Sequence, residues 1–366
     1  MGNPYDKDSD SIKVKVIERI GGESDLAGRK SLNTTFGQSI IAHELSRFNS
    51  LFSYPPDSEK LDSIVENGGI VAQENHMLKV SSGIDQNGSA IASSRRSLQY
   101  QPGKEGYCKF TSIYTQGMHN SRQMMGLFDN LNGFAIGYEG VDFAIFRKRD
   151  GSIVETVTQN NFNGDKIDGS GKSKFKLDPT KGNLYRISFG FLGFACITFE
   201  VHGGKDNSWI PFHIIDYPNS NTETHITIPY LKLRAKVENF GNVTDIIIRS
   251  GSVDAGIIDG GGAIVSSRDF TLDGTIEYST PTNHSLVVFH TKYEYGGVEN
   301  RVETLVKLLT LANEGNKTLR FQRFKLSIPP TGGTWIDVSP NSIMEVSYNS
   351  TVDLTGAKAS FPISLS

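Results

Sequence analysis

Among the acidic side chains on strand-like runs, Glu200, Glu238 and Glu277 each stand alone. Glycoside hydrolysis needs two carboxylates held on rigid elements, about 5 Å apart for retention and about 6.5–9.5 Å for inversion. No run carries a Glu-x-Asp-x-Glu series that would deliver such a pair. Asp165, Asp168 and Asp178 lie instead in a polar, glycine-rich stretch. They could offer oxygen ligands to calcium, but the spacing is not that of an EF-hand and lysines are interleaved, which favours turn-forming aspartates. His43, His202, His213, His225 and His290 have no Ser or Cys partner motif, and there is no G-x-S-x-G elbow. The glycines at 260–262 are not followed by Gly-Lys-Ser/Thr, so they form no phosphate loop. The aromatics offer more. Trp209, Tyr217, Tyr138 and Tyr230 fall at strand ends or turns, where a sugar ring can stack, although aromatics in a sandwich more often serve its core. The candidate binding set is Trp209 and Tyr217 beside Asp165 and Asp168, for a glycan. No cofactor and no metal is expected.

These residues flank one hairpin around which the rest of the chain is arranged. From Leu184, the residues Tyr185, Ile187, Phe189 and Phe191 alternate with Leu184, Arg186 and Ser188. After Leu192-Gly193, Ala195, Ile197, Phe199 and Val201 alternate with Cys196, Thr198 and Glu200. This is the two-residue period of half-buried strands, and a second sheet must cover the dry face. Upstream, strands are predicted over Ala90–Gln99, Tyr107–Thr115, Gln123–Phe128, Phe134–Tyr138, Val141–Arg147 and Ser152–Thr158. Pro102-Gly103, Asn132-Gly133, Glu139-Gly140 and Asp150-Gly151 separate them. Downstream come Trp209–Ile215, Thr224–Ile228, Leu231–Glu238, read as a surface strand with one wet face, and Thr244–Ser250. Thr35–Tyr54 fits helix and strand periodicity about equally and is assigned to strand; Pro55–Val80 is a polar connection with short strand-like runs.

Three domains follow: residues 1–60, an arm with a first strand; 61–262, an antiparallel β-sandwich; and 263–366, a smaller β-rich unit beyond the Gly260–Gly262 hinge. In the last, Ser285–Tyr295, Thr304–Leu311, Leu319–Ser327 and Ile343–Tyr348 read as strands, with a turn at 313–316. The 366 residues, 37% hydrophobic, can bury ample core without staples. A formal charge of -3 leaves no global cationic footprint for nucleic acid, and the local basic runs Arg95-Arg96 and Arg147-Lys148-Arg149 read as solvated or structural. Cys108 and Cys196 sit in apolar strand-like runs and read as free thiols. Neither a signal-peptide core nor a stretch long enough to span a bilayer is present, so no membrane is expected.

Several stretches together resemble an uncharacterised family of virion proteins of tailed bacteriophages, also met in large viruses. They are Thr35-Phe36-Gly37, with Gln38 where that family usually has Arg; the run from Ser94 to Lys104, SRRSLQYQPGK; Met125–Asp129 with Asn132-Gly133-Phe134; Asn163–Gly171; Leu177–Asn183; and Phe191-Leu192-Gly193. A weaker likeness covers Gly315-Asn316-Lys317 and Gly333-Thr334-Trp335. The resemblance implies a non-enzymatic structural component of a virus particle, capsid-associated or in a tail fibre, on an all-β, jelly-roll, concanavalin-like sandwich. It carries over no catalytic or binding residue. The expected partners are other virion proteins and further copies of the chain, most simply as a trimer by analogy with virus fibres. A glycan on a host surface is the alternative.

Overall fold

The computed structural model describes residues 43–98, 100–190, 192–204, 207–259 and 287–300, and short stretches from 319 to 365. The chain divides into two compact units, residues 1–263 and 264–366. The arm over residues 1–35, the hinge glycines 260–262, the strand at 304–311 and the turn at 313–316 lie outside the described residues.

The first unit is built from β1 (His43–Leu51), β2 (Leu61–Glu66), β3 (Ile70–Glu74), β4 (Met77–Ser81), β5 (Ser89–Ser94), β6 (Glu105–Tyr114), β7 (Ser121–Phe128) and β8 (Gly133–Glu139). It continues with β9 (Asp142–Arg149), β10 (Ser152–Thr158), β11 (Asn183–Gly190), β12 (Ile197–Gly203), β13 (Ser208–Ile215), β14 (Leu233–Asn239), β15 (Ile247–Ser250) and β16 (Ser252–Asp259). Every described ladder is antiparallel. One sheet of seven strands runs β10-β9-β8-β7-β14-β5-β2; the other, of nine, runs β13-β12-β11-β6-β15-β4-β3, with β16 also on β6 and β1 on β16.

The long strand β6 makes that branching possible. Its first half pairs with β16 and its end with β15. The break between them falls at Gly251, where Thr111 Oγ1 accepts the N–H groups of Gly251 (2.9 Å) and Ser252 (3.1 Å). In the other sheet β7 to β10 form a meander whose turns have the backbone that hairpins demand. Asp150 and Gly151 both have positive φ, as a type I′ turn requires, and Gly140 supplies the positive φ that opens the β8–β9 turn.

The core lies between the sheets. The predicted hairpin is present, with Tyr185 opposite Val201, Ile187 opposite Phe199 and Phe189 opposite Ile197, and all six side chains are fully buried. They meet Phe134, Ile136, Phe143, Leu233 and Val237 of the seven-stranded sheet in one cluster. Burying each large apolar side chain contributes about 1.5–3 kcal/mol, so this hairpin is a principal anchor of the unit.

Three expectations need correction. Thr224–Ile228 is no strand: His225 and Ile226 are buried, and the segment is pinned by the Asn132 carboxamide, whose Oδ1 accepts the Thr227 N–H at 3.0 Å. The strand β14 is not peripheral but lies between β7 and β5, and its outward Arg234 is buried. Cys108 is a buried core thiol as expected, but Cys196 precedes β12 and is half-buried, 3.4 Å from Asp216 Oδ1.

In the second unit, β17 (Val288–Thr291), β23 (Met344–Ser347) and β22 (Ile336–Asp337) form a three-stranded sheet. The pairs β18 (Glu294–Tyr295) with β19 (Val298–Glu299), β20 (Leu319–Phe321) with β25 (Ile363–Leu365), and β21 (Phe324–Lys325) with β24 (Lys358–Ala359) complete its described ladders. Met344 and Val346 are buried, whereas Phe289, Tyr293 and Tyr295 are exposed.

Candidate functional site

The polar stretch before β11 runs along the edge of β13. Asn163 pairs with Ile214 through its carboxamide, and the N–H groups of Gly164 and Asp165 donate to Phe212 and Pro211. The loop therefore closes an edge that would otherwise present unpaired backbone. Its aspartates hold it in shape. Asp165 Oδ1 accepts the Ile167 N–H at 2.9 Å and Oδ2 the Ser173 N–H at 2.8 Å. A Cβ at Gly171 would meet Asp165 Oδ1 at 2.1 Å, so glycine is required there. Asp168 accepts the N–H and hydroxyl of Ser170, and Asp178 those of Thr180. These hydrogen bonds hold both carboxyls below the usual carboxylate range. The three aspartates are turn-formers: Asp165 uses both carboxylate oxygens and Asp168 its Oδ1 on their own loop.

Trp209 lies nearby on β13, on the outer face of the nine-stranded sheet. The Arg186 guanidinium stacks over its ring at 4.6 Å, and His202, opposite it on β12, meets it edge-on at 5.2 Å. Arg186 in turn pairs with Glu200 at 2.5 Å. Burial works against the charge of Arg186, but Glu200, with Glu105 and Glu44 close by, more than offsets it and raises the pKa. One strand over, Lys109 pairs with Glu44, and Asp254 accepts the hydroxyls of Tyr107 at 3.0 Å and Ser46 at 2.6 Å. The register places Asp254, Lys109, Arg186 and Glu200 in one line across β16, β6, β11 and β12. Glu44 and Glu200 are thus each held by a cation, and Asp254 by two hydroxyl donors.

Tyr217 is elsewhere and is buried. Its ring carries the Arg147 guanidinium at 5.4 Å and the His225 imidazole edge-on, and it borders a recess of about 240 Å³ with Arg149 and Glu223. It is a core side chain and not a sugar platform, which corrects its place in the candidate set. Tyr138 is also core, and Tyr230 is half-buried against it. Of the predicted set, Trp209 and Asp165 share a strand edge, since Asp165 bonds to Pro211, while Tyr217 serves another place. The residues that sequence reasoning missed on this face are Arg186, Tyr107, Lys109, Glu44 and Asp254. No group of three or more His, Cys, Asp or Glu side chains fit to hold a metal ion occurs among the described residues.

The architecture is that of an all-β sandwich of two antiparallel sheets. No protein-family model and no curated protein matches the chain. Among solved structures it is similar to an endo-acting O-glycanase of the human gut microbiota, at 13% identity over 59% of this chain and 99% of that one, with a TM-score of 0.40. It is similar to the catalytic domain of an endo-1,3-beta-glucanase (laminarinase) from Thermotoga petrophila, at 12% identity over 60% and 99%, TM-score 0.40. A third is the Emp47p carbohydrate recognition domain, at 9% identity over 56% and 100%, TM-score 0.31.

Proposed function

We propose that this chain is a non-enzymatic structural component of a virus particle, capsid-associated or in a tail fibre, that acts by contact with other virion proteins and with further copies of itself. The observation that carries the contact role is where the sandwich leaves apolar side chains uncovered. Ile64 and Val65 on β2 and Ile70 on β3 are about half exposed, and these are end strands of their sheets. Leu51, at the end of β1, and Tyr54 just beyond it are more than three-quarters exposed. An end strand with free backbone groups and aliphatic side chains is a surface on which another chain can pair. The sequence likeness to virion proteins supplies the setting, and the ion pairs of Glu200 with Arg186 and of Glu44 with Lys109 suit a structural face. Mass spectrometry of purified particles is the test: the protein is expected at stoichiometric level, and its abundance in infected cells with absence from particles overturns the reading. Sedimentation of the full chain is expected to show an oligomer, a trimer by analogy with fibres; a monomer at micromolar concentration removes self-contact.

A second reading, a glycan-binding adhesin of host surfaces, is favoured by Trp209 alone, a half-buried ring beside polar groups on an outer sheet face. Glycan-array binding that is lost in Trp209→Ala supports it, and binding to no glycan removes it.

A further inference from the structure

The outer face of the seven-stranded sheet holds an arrangement that shares only Ile64 with the assembly surface described above. At its centre β7 and β8 carry Gly126, Ala135 and Gly137, so in the line Phe146, Ala135, Gly126, Arg234 nothing larger than a methyl group stands between β9 and β14. Met124, Phe128, Ala135, Ala144 and Phe146 form a buried apolar floor, separate from the core between the sheets. Three cations border it: Lys148 on β9, and Arg234 and Lys236 on β14.

Their partners are unequal. Arg234 donates to Asn130 Oδ1 at 2.8 Å and lies over the Phe128 ring, and Lys236 pairs with Glu238 at 2.5 Å. Lys148 is half-buried, and among the described residues it has no hydrogen-bond or ion-pair partner. Burial first, then the charges of Lys236 and Arg234, hold its pKa below the usual lysine range. Two acids lie near enough to act against that, but both are committed. Asp129 Oδ1 accepts the N–H groups of Leu131 and Asn132, and Glu238 is held by Lys236 and Arg122. From Lys236 a shallow groove of about 300 Å³ leads across β14 and β5 to β2, lined by Ile64, Ile91, Ser89, Asn87 and Asn239 together with the carboxylates of Glu66 and Glu238. That is at the lower end of small-ligand sites, and its aliphatic, amide, hydroxyl and carboxylate groups suit the hydroxyls of a sugar ring, with the anionic group confined to the Lys148 end.

We propose that this face binds an oxyanion, the carboxylate or sulfate of an acidic saccharide, with the charge at Lys148, Arg234 and Lys236 and the ring in the groove beyond Lys236. The anion supplies the partner that Lys148 lacks and relieves the repulsion among three cations over an apolar floor. An extended polyanion is disfavoured, because the neighbouring line across the sheet reads Glu66, Ser89, Glu238, Arg122, Glu139, Asp142. The site is on the opposite face of the sandwich from Trp209, so it stands or falls separately from the Trp209 reading.

The test is calorimetric titration of the full chain with sialyllactose, with lactose and with inorganic sulfate. Sialyllactose is expected to bind, more weakly as salt rises, and lactose about tenfold less tightly or not at all. Lys148→Gln is expected to weaken sialyllactose by about tenfold without lowering the unfolding temperature, since it removes a repelled charge. Lys79→Gln, a cation on β4 of the other sheet paired with Glu74, serves as the control and is expected to change nothing. Competition by sulfate supports an oxyanion at the cations. Sialyllactose binding no tighter than lactose, sulfate as the sole ligand, or affinity unmoved by Lys148→Gln each overturns the proposal.

Discussion

Two tyrosines in the core make opposite predictions from the same chemistry. Tyr114 on β6 and Tyr185 on β11 have rings 6.2 Å apart, and both side chains are fully buried. The Tyr114 hydroxyl donates across the sandwich to the Ile136 carbonyl at 2.9 Å. Among the described residues the buried Tyr185 hydroxyl has no hydrogen-bond partner, and burial holds its ionisation well above the usual tyrosine range. A buried hydroxyl left unpaired costs about 1–3 kcal/mol, whereas a satisfied one contributes a net of about 1 kcal/mol. Tyr185→Phe is therefore expected to stabilise the sandwich by about 1 kcal/mol or more, because the ring keeps its stacking on Phe110 while the orphan oxygen is removed. Tyr114→Phe is expected to cost about 1 kcal/mol. Urea denaturation of both variants, read as a change in midpoint at constant slope, checks the pair. A loss on Tyr185→Phe as large as that on Tyr114→Phe refutes the reasoning. It would mean that a buried water serves the Tyr185 hydroxyl.

Other perturbations separate structural roles from binding roles. Asp165→Ala removes two backbone hydrogen bonds within the loop and is expected to cost about 2 kcal/mol and to open residues 162–182 to protease. Arg186→Met leaves Glu200 buried and unpaired and is expected to cost roughly 3 kcal/mol, most of it recovered in Arg186→Met/Glu200→Leu, as chemical denaturation would show. Burial pushes both His213 and His225 down to about 4. Above the unfolded value of about 6.5 neither affects stability; below it the unfolded chain takes up protons that the folded chain refuses. Stability is thus expected to fall from about pH 6.5 to about pH 4, by up to about 1.4 kcal/mol per pH unit for each histidine. His213→Gln should remove about half of that slope.

What was legible in the sequence is what a single strand or turn decides. Tyr185, Ile187 and Phe189 are buried because a half-covered strand sends alternate residues to one face, and the meander was legible because Asp150-Gly151 and Gly140 take the turns that hairpins need. The Arg186–Glu200 pair was within reach on the same grounds: Leu192 and Gly193 both have positive φ at the turn, and a hairpin centred on Gly193 sets Arg186 opposite Glu200. The contact of Tyr107 with Asp254 was not, since β6 and β16 are far apart in the chain and their register is set by the break at Gly251. Thr224–Ile228 misled for the converse reason, its alternation being satisfied by side-chain pins to Asn132 and not by a ladder. The basic triplet at 147–149 shows where the two kinds of information meet. In sequence it reads as one charged patch; on a strand, alternation divides it. Arg147 and Arg149 pair with Glu155 and Glu223, and Lys148 faces the other way, onto the floor of Phe128 and Phe146. Its isolation follows from a period of two, but its company does not, because Arg234 and Lys236 reach it only through a β7–β14 pairing that joins residues about a hundred positions apart.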